Sequence, residues 1–306
     1  MFSRQTVEDL ITHLTGSHSE YISAGHDNMD RNRVYLLPSH QLILKIYGKY
    51  ARWVREVKSL SFLNERKVPI PVPKIVDHGI FQADVPWVLM TKIQGDSLID
   101  VESLIDRRFR NKLTSAIAKC HAEFHNMCEI DFFGDWVSGL SKPEDQLTYS
   151  EYTCMKNRKR ADLLIRNQYP ETPLFRLAQK RLLRLENTLT APIRYSLCHN
   201  DFNERNILVQ HKQGEWNVVG IIDFESAYPS DGESDLARVL FDIYEQEDMM
   251  IYLNSYSKCR ELSPSFYEKL DYYLIALCVD ICSWSYLKAN NYYYRSVLLL
   301  ERLLKK

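Results

Sequence analysis

Glycine and proline are scarce in this chain, 10 and 11 among 306 residues, which excludes collagen-like and low-complexity compositions. An ordered chain is expected throughout. Neither sign of charge prevails: 39 Lys and Arg against 40 Asp and Glu leave a net charge of −1, so bulk electrostatics point to no nucleic-acid and no membrane partner. The seven cysteines, at 120, 128, 154, 198, 259, 278 and 282, are odd in number and hold no CxxC pair or ligand-spaced Cys/His set. That argues against a disulfide framework or a zinc ribbon and fits a reducing, cytoplasmic setting. Cys198 and His199 are adjacent and cannot comfortably share one Zn²⁺, which speaks against a zinc hydrolase. Long apolar runs are missing as well. The most apolar stretch, Tyr272 to Leu287, is interrupted by Asp280 and is too short to span a bilayer. At the N-terminus, MFSRQTVEDLITHL alternates apolar and acidic residues as a helix start does and lacks the unbroken core of a signal peptide. No G-x-x-x-x-G-K-[ST] string occurs, so a Walker-type phosphate loop is excluded.

What remains is an ordinary globular composition, 45% hydrophobic and 26% charged, long enough for about two domains. Val34–Leu37 and Leu42–Tyr47 read as strands joined by the turn Pro38-Ser39-His40. In the second strand Leu42, Leu44 and Ile46 share one face, which leaves Lys45 mid-strand on the other. Residues 51–64 take a helical period, with Trp53, Val57 and Leu60 on one stripe and Glu56 one turn before Leu60. The proline-rich segment 68–74 cannot be helical and reads as a rigid connector. Trp87–Ile93 is a further strand, and Gln94-Gly95-Asp96 breaks it, placing a boundary between residues 1–93, β-rich, and 94–306, mainly helical. Within the second part, Ile207–Val209 and Val218–Ile222 flank a turn and form a hairpin. Its ends bring His199–Asn206 towards Asp223.

The loop reads His199-Asn200-Asp201-Phe202-Asn203-Glu204-Arg205-Asn206, an H-x-D-x-x-x-x-N pattern, and the hairpin ends Ile222-Asp223-Phe224-Glu225. Phosphoryl transfer needs a carboxylate to orient and deprotonate a hydroxyl, together with hard oxygen ligands for Mg²⁺. Asp201 suits the first role, Asn206 and Asp223 the second. Lys45 supplies a cation for the nucleotide phosphates, and Glu56 is its ion-pair partner. At these residues the chain resembles the aminoglycoside phosphotransferase family, which shares the protein-kinase-like fold with choline kinases. The matching pieces are Leu44-Lys45, Glu56, the Pro-Val-Pro connector, Cys-His-Asn-Asp-Phe at 198–202 with Asn206, Ile-Ile-Asp-Phe-Glu at 221–225, and Asp235-Leu236-Ala237. The resemblance implies an α+β, two-lobed fold: a small β-rich nucleotide-binding lobe over 1–93 and a larger helical catalytic and substrate-binding lobe over 94–306. It also implies a base at Asp201, metal ligands at Asn206 and Asp223, and a hinge at Met90-Thr91-Lys92-Ile93 whose backbone, at Thr91 and Ile93, meets adenine. The family's glycine-rich nucleotide loop is represented by residues 24–29, with Gly25 its single glycine.

His199 reads as a structural rather than a catalytic residue, His121 and His125 as packed or exposed histidines rather than ligands, Asp235 as a helix-start or loop-anchoring carboxylate, and the basic stretch 156–160 as a solvated helix face. The resemblance implies transfer of the γ-phosphoryl of ATP or GTP to a hydroxyl of an aminoglycoside antibiotic. A metabolic kinase of choline, ethanolamine or another small alcohol would use the same residues, and a catalytically silent nucleotide-binding module is the alternative from another class. Residues 223–248 hold nine acids against Arg238 alone, or −8, so the other 280 residues carry +7. This run leads us to expect a polyamine-type acceptor held by Glu233, Glu245 and Asp248.

Overall fold

The computed structural model describes residues 3–24, 32–68, 70–82, 84–136, 147–192, 194–244 and 247–305. In chain order the elements begin α1 (Arg4–Thr15), β1 (Ile22–Ser23), β2 (Asn32–Leu37), β3 (Leu42–Tyr47), α2 (Tyr50–Asn64), β4 (Ile75–Phe81) and β5 (Val85–Thr91). There follow β6 (Asp96–Ser97), α3 (Leu98–Val101), α4 (Arg107–Met127), β7 (Glu129–Ile130), α5 (Tyr149–Arg166), α6 (Thr172–Leu185) and β8 (Tyr195–Cys198). The chain closes with β9 (Ile207–Lys212), β10 (Glu215–Ile221), β11 (Tyr228–Ser230), α7 (Gly232–Ile243), α8 (Glu247–Ser257), α9 (Phe266–Ser285) and α10 (Asn290–Leu304). Two compact units result. One comprises Met1–Phe109 with Glu204–Ala227, the other Arg110–Asn203 with Tyr228–Lys306. This departs from a single cut at 93/94, because the 207–221 hairpin returns to the first unit.

The first unit is built on an antiparallel sheet of order β1-β2-β3-β5-β4. The pleat sorts side chains by parity. Leu44 and Ile46 join Val7, Leu10 and Ile11 of α1 in one apolar cluster with Leu37, Val85, Trp87 and Leu89, so Lys45 and Tyr47 face the other way. There α2 lies, tied to the sheet by Trp53 Nε1 donating to Trp87 O at 3.0 Å. A second sheet, β10-β9-β6, completes the unit. At Gly95, φ is +151° and a Cβ would stand 2.7 Å from Val219 Cγ2 of β10 and 3.1 Å from Val209 O of β9, so the break after β5 needs glycine. The strand expected over Trp87–Ile93 runs instead from Val85 to Thr91, and Thr91 N donates to Lys74 O at 2.9 Å.

In the second unit α9 is the central element, with Leu270, Leu274, Ile275, Cys278 and Val279 among its buried residues, and α5, α6, α7 and α10 pack around it. The small sheet β11-β8-β7 lies beside α7. One buried cation fastens α9 to the start of α7. Lys269, 1% exposed, places Nζ 2.6 Å from Asp231 Oδ2 and 2.6 Å from Glu233 Oε2. Asp231 also caps α7 by accepting from Glu233 N at 3.0 Å, and Ser263 Oγ donates to Glu233 at 2.8 Å. Glu233 was expected to face an acceptor. The structure corrects this: its carboxylate is buried and taken up by Lys269 and Ser263. Removing a buried partner leaves charge uncompensated, so Lys269→Ala should destabilise the protein by about 3–5 kcal/mol. Thermal unfolding that shows a loss below ~1 kcal/mol would contradict this role.

Candidate active site

The sequence-predicted residues divide between the units. Lys45, Glu56, Asn206 and Asp223 lie in the first, and Asp201 lies in the second, with the chain crossing between units at 203/204. Gly25 and Glu245 fall outside the described residues.

In the first unit Lys45 projects from β3 and is 5% exposed. Its ammonium lies 2.6 Å from Glu56 Oε2, 2.7 Å from Asp223 Oδ1 and 2.9 Å from Glu225 Oε2. Burial alone would drive the ammonium towards neutrality, but Asp223, Glu225 and Glu56 outweigh it and hold the pKa well above the usual lysine value. Glu56 is fixed on every side: Tyr47 Oη donates to Oε2 at 2.6 Å, and Phe224 N donates to Oε1 at 3.2 Å. That backbone bond fastens the turn carrying Asp223, which sits at φ +69°, a left-handed conformation that aspartate tolerates better than most residues. Arg52 Nη1 donates to Glu225 Oε1 at 2.8 Å, and Asn32 Nδ2 donates to Glu225 Oε2. Burial pushes the Glu225 carboxyl pKa up while Lys45 opposes the shift. Asn206, 6% exposed, is joined to the same turn through Ile222 N, which donates to Asn206 O at 3.0 Å.

Sequence reading missed Glu225, Arg52 and Tyr47. The signals were present: Arg52 lies one turn before Glu56 on α2, and Glu225 lies two residues past Asp223. Glu56, Asp223 and Glu225 bring carboxylate oxygens within 4.8 Å of one another. This donor set is hard and lacks imidazole or thiolate, so it fits Mg²⁺ rather than a soft metal. At the segment expected to be the hinge, Thr91 donates through its amide to Lys74 O, and its hydroxyl accepts from Lys74 N at 2.9 Å. Lys92 N donates to Gln41 O at 3.1 Å, whereas no hydrogen bond among the described residues uses the Ile93 backbone.

In the second unit Asp201 follows β8 on a loop whose preceding residue, Asn200, has φ +59°. Its side chain is 41% exposed, and Oδ1 accepts from Asn203 Nδ2 at 2.8 Å and from Arg238 Nε at 3.2 Å. The loop hangs on Asp235, which accepts from His199 N and Asn200 N, both at 2.7 Å. Two buried histidines complete that carboxylate's shell, His121 Nε2 at 3.2 Å and His125 Nε2 at 3.3 Å. Their Nδ1 atoms face Tyr252 Oη at 2.8 Å and Tyr256 Oη at 2.7 Å. Burial raises both phenol pKa values, so the phenols donate to Nδ1 and each neutral imidazole donates Nε2–H to Asp235. Burial opposes ionisation of Asp235, but the hydrogen bonds from the two histidines hold its pKa below the usual carboxylate range. The expected loop-anchoring role of Asp235 is thus observed. Part of the acidic run is neutralised, mostly by cations from outside it: Asp242 meets Arg238 at 3.1 Å and Arg295 at 2.7 Å, and Asp231 and Glu233 meet Lys269. Asp248 is half-buried in the first turn of α8 and makes no ion pair among the described residues.

His125 carries the pH signature of this arrangement. Its pKa is pushed down to about 3, first by burial and then by the neighbouring His121. The unfolded chain, with an ordinary histidine value of about 6.5, therefore binds a proton in the window where the folded protein does not. Stability is full above that value and falls as pH drops through the window. Urea unfolding at pH 5.0 should show about 2 kcal/mol less stability than at pH 7.5 from this group, and a flat profile would count against a neutral buried His125.

The sequence matches the phosphotransferase enzyme family over residues 23–257. No curated protein matches it in a sequence search. Among solved structures, a thermostable mutant of aminoglycoside phosphotransferase APH(4)-Ia in ternary complex with ADP and hygromycin B superposes with a TM-score of 0.73 at 15% identity, covering 98% of each chain. The GDP complex of wild-type aminoglycoside 2′-phosphotransferase-IIIa gives 0.71 at 16% identity over 99% of each chain. The gentamicin–APH(2″)-IIa complex gives 0.67 at 18% identity over 99% of this chain and 97% of the other. At these identities the likeness shows the fold, the kinase-like α+β arrangement of sheet and helices expected from the sequence.

Proposed function

The chain belongs to the phosphotransferase enzyme family, and from that premise we propose that it is a small-molecule kinase moving the γ-phosphoryl of ATP or GTP to an acceptor hydroxyl. The observation that carries this reading is the Lys45 cluster: one buried ammonium bonded at once to a helix carboxylate, Glu56, and to the proposed metal ligand Asp223. Lys45 and Arg52 against Glu56, Asp223 and Glu225 sum to −1. A divalent cation turns that sum to +1, the sign a polyphosphate requires. Asp223 and Asn206 would hold Mg²⁺, which when bound neutralises charge on the transferring phosphate. Glu56 keeps Lys45 aimed, and the Ile93 backbone provides the hinge contact for the base. Asp201 orients the acceptor hydroxyl and takes its proton.

For the acceptor, we read an amine-bearing alcohol of aminoglycoside type, supported by the family match and by Asp248, with Glu245 the other carboxylate proposed for it. The neutralised state of Asp231, Glu233 and Asp242 favours a second reading, an alcohol with a single amine such as ethanolamine or choline. A panel of aminoglycosides and amino alcohols, followed by nucleoside diphosphate release, separates the two. Stabilisation by Mg-ATP without any phosphorylated product would favour the silent module instead.

Asp201→Asn should lower kcat by roughly 10²–10⁴ with nucleotide affinity nearly intact, and a variant with wild-type kcat would rule out the base. Lys45→Ala should impair nucleotide use more than Glu56→Ala, and the two losses should fail to add because they remove one ion pair. Additive losses, read from kcat/KM for the nucleotide, would mean that the two residues act independently.

A further inference from the structure

We propose that Arg238 is a positioning residue that locks the Asp201 carboxylate through its Oδ1 oxygen; this rests on the reading of Asp201 as the base. A guanidinium is normally left at the surface, since burying it forfeits hydration. Arg238 is instead 8% exposed, on the inward face of α7, one turn beyond the Asp235 anchor. Burial weakens its charged form, and Asp201 and then Asp242 more than offset this, so its pKa stands raised.

The group is held in a fixed orientation. Nη1 reaches Asp242 Oδ2 at 3.1 Å, and the other oxygen of Asp242 takes Arg295 Nη2 of α10 at 2.7 Å. The ring of Phe241 lies 5.8 Å from Arg238 Cζ and 5.4 Å from Arg295 Cζ. Alternating charges thus run from α10 through Asp242 and Arg238 to Asp201. Nε and Asn203 Nδ2 converge on the same oxygen of Asp201, at 3.2 and 2.8 Å, which sets the carboxylate's rotation. The Asn203 contact lies within the loop itself, two residues from Asp201. Arg238 ties it to a packed helix, as a base that must meet a hydroxyl in one geometry requires.

The test compares Arg238→Gln, Arg238→Lys and Lys269→Ala in steady-state assays with Mg-ATP and kanamycin, hygromycin B or ethanolamine, whichever the wild type phosphorylates. Arg238→Gln should lower kcat about 10–100-fold while nucleotide KM moves less than about twofold, and Arg238→Lys should regain part of the loss. Lys269→Ala should cost more in Tm yet keep kcat at temperatures where it is folded, because it does not touch Asp201. A kcat loss that merely follows Tm across the three variants would overturn the role. An acceptor-independent cycle runs beside it: the Tm losses of Arg238→Gln and Asp201→Asn should fail to add, and strict additivity would overturn the contact. A wild type inert towards all three acceptors would overturn the kinase reading, and this role with it, even where the Tm losses still fail to add.

Discussion

An ammonium group cannot be kept 5% exposed inside a protein unless carboxylates surround it, and Lys45 imposes that condition on the whole first unit. No single element can satisfy it. The strand β3 presents the cation, α2 delivers Glu56 and Arg52, and the segment 204–227 must come back to the sheet to deliver Asp223 and Glu225. The bond from Phe224 N to Glu56 and the bond from Ile221 N to Pro71 O, 3.1 Å, are the backbone form of the same requirement. Glu56 is accordingly both the lysine's partner and the clasp of the turn that carries the proposed metal ligand.

In the second unit the sign is reversed and the logic repeats. Asp235 is a buried carboxylate that draws two loop amides and two neutral imidazoles around itself, so the loop before Asp201 has few conformations left. Phe202 stacks on His121 with ring centres 4.0 Å apart, adding an apolar face to the same knot. The strain at Asn200 is maintained by these contacts rather than by any neighbour in sequence.

Much of the fold and part of the site were legible in the sequence. The hairpins over 32–47 and 207–221 and the helix carrying Glu56 follow from period and turn chemistry, which act locally, whereas Asp235 reads as a helix-start or loop-anchoring carboxylate and anchors a loop 35 residues away. Glu225, Arg52 and Arg238 were not singled out because their importance depends on partners up to 173 residues away, and a charged residue in a helix reads equally well as a solvated one. The acidic run shows the same limit from the other side. Summed along the chain it suggests a surface for amines, yet Lys45, Arg52, Lys269 and Arg295, distant in sequence, pair with five of its nine acids, and two neutral histidines hold a sixth, Asp235.

The return of residues 204–227 to the first unit also bears on how the protein is made. A nascent chain that has emerged as far as Phe109 still lacks the hairpin β9–β10 and the acids that compensate Lys45. At ordinary elongation rates, synthesis of the intervening stretch occupies about 5–20 s. Until that stretch is made, the unit lacks Asp223 and Glu225, two of the three carboxylates that meet Lys45 in the finished fold. The first unit therefore cannot be complete until 94 residues of the second, 110–203, have been made.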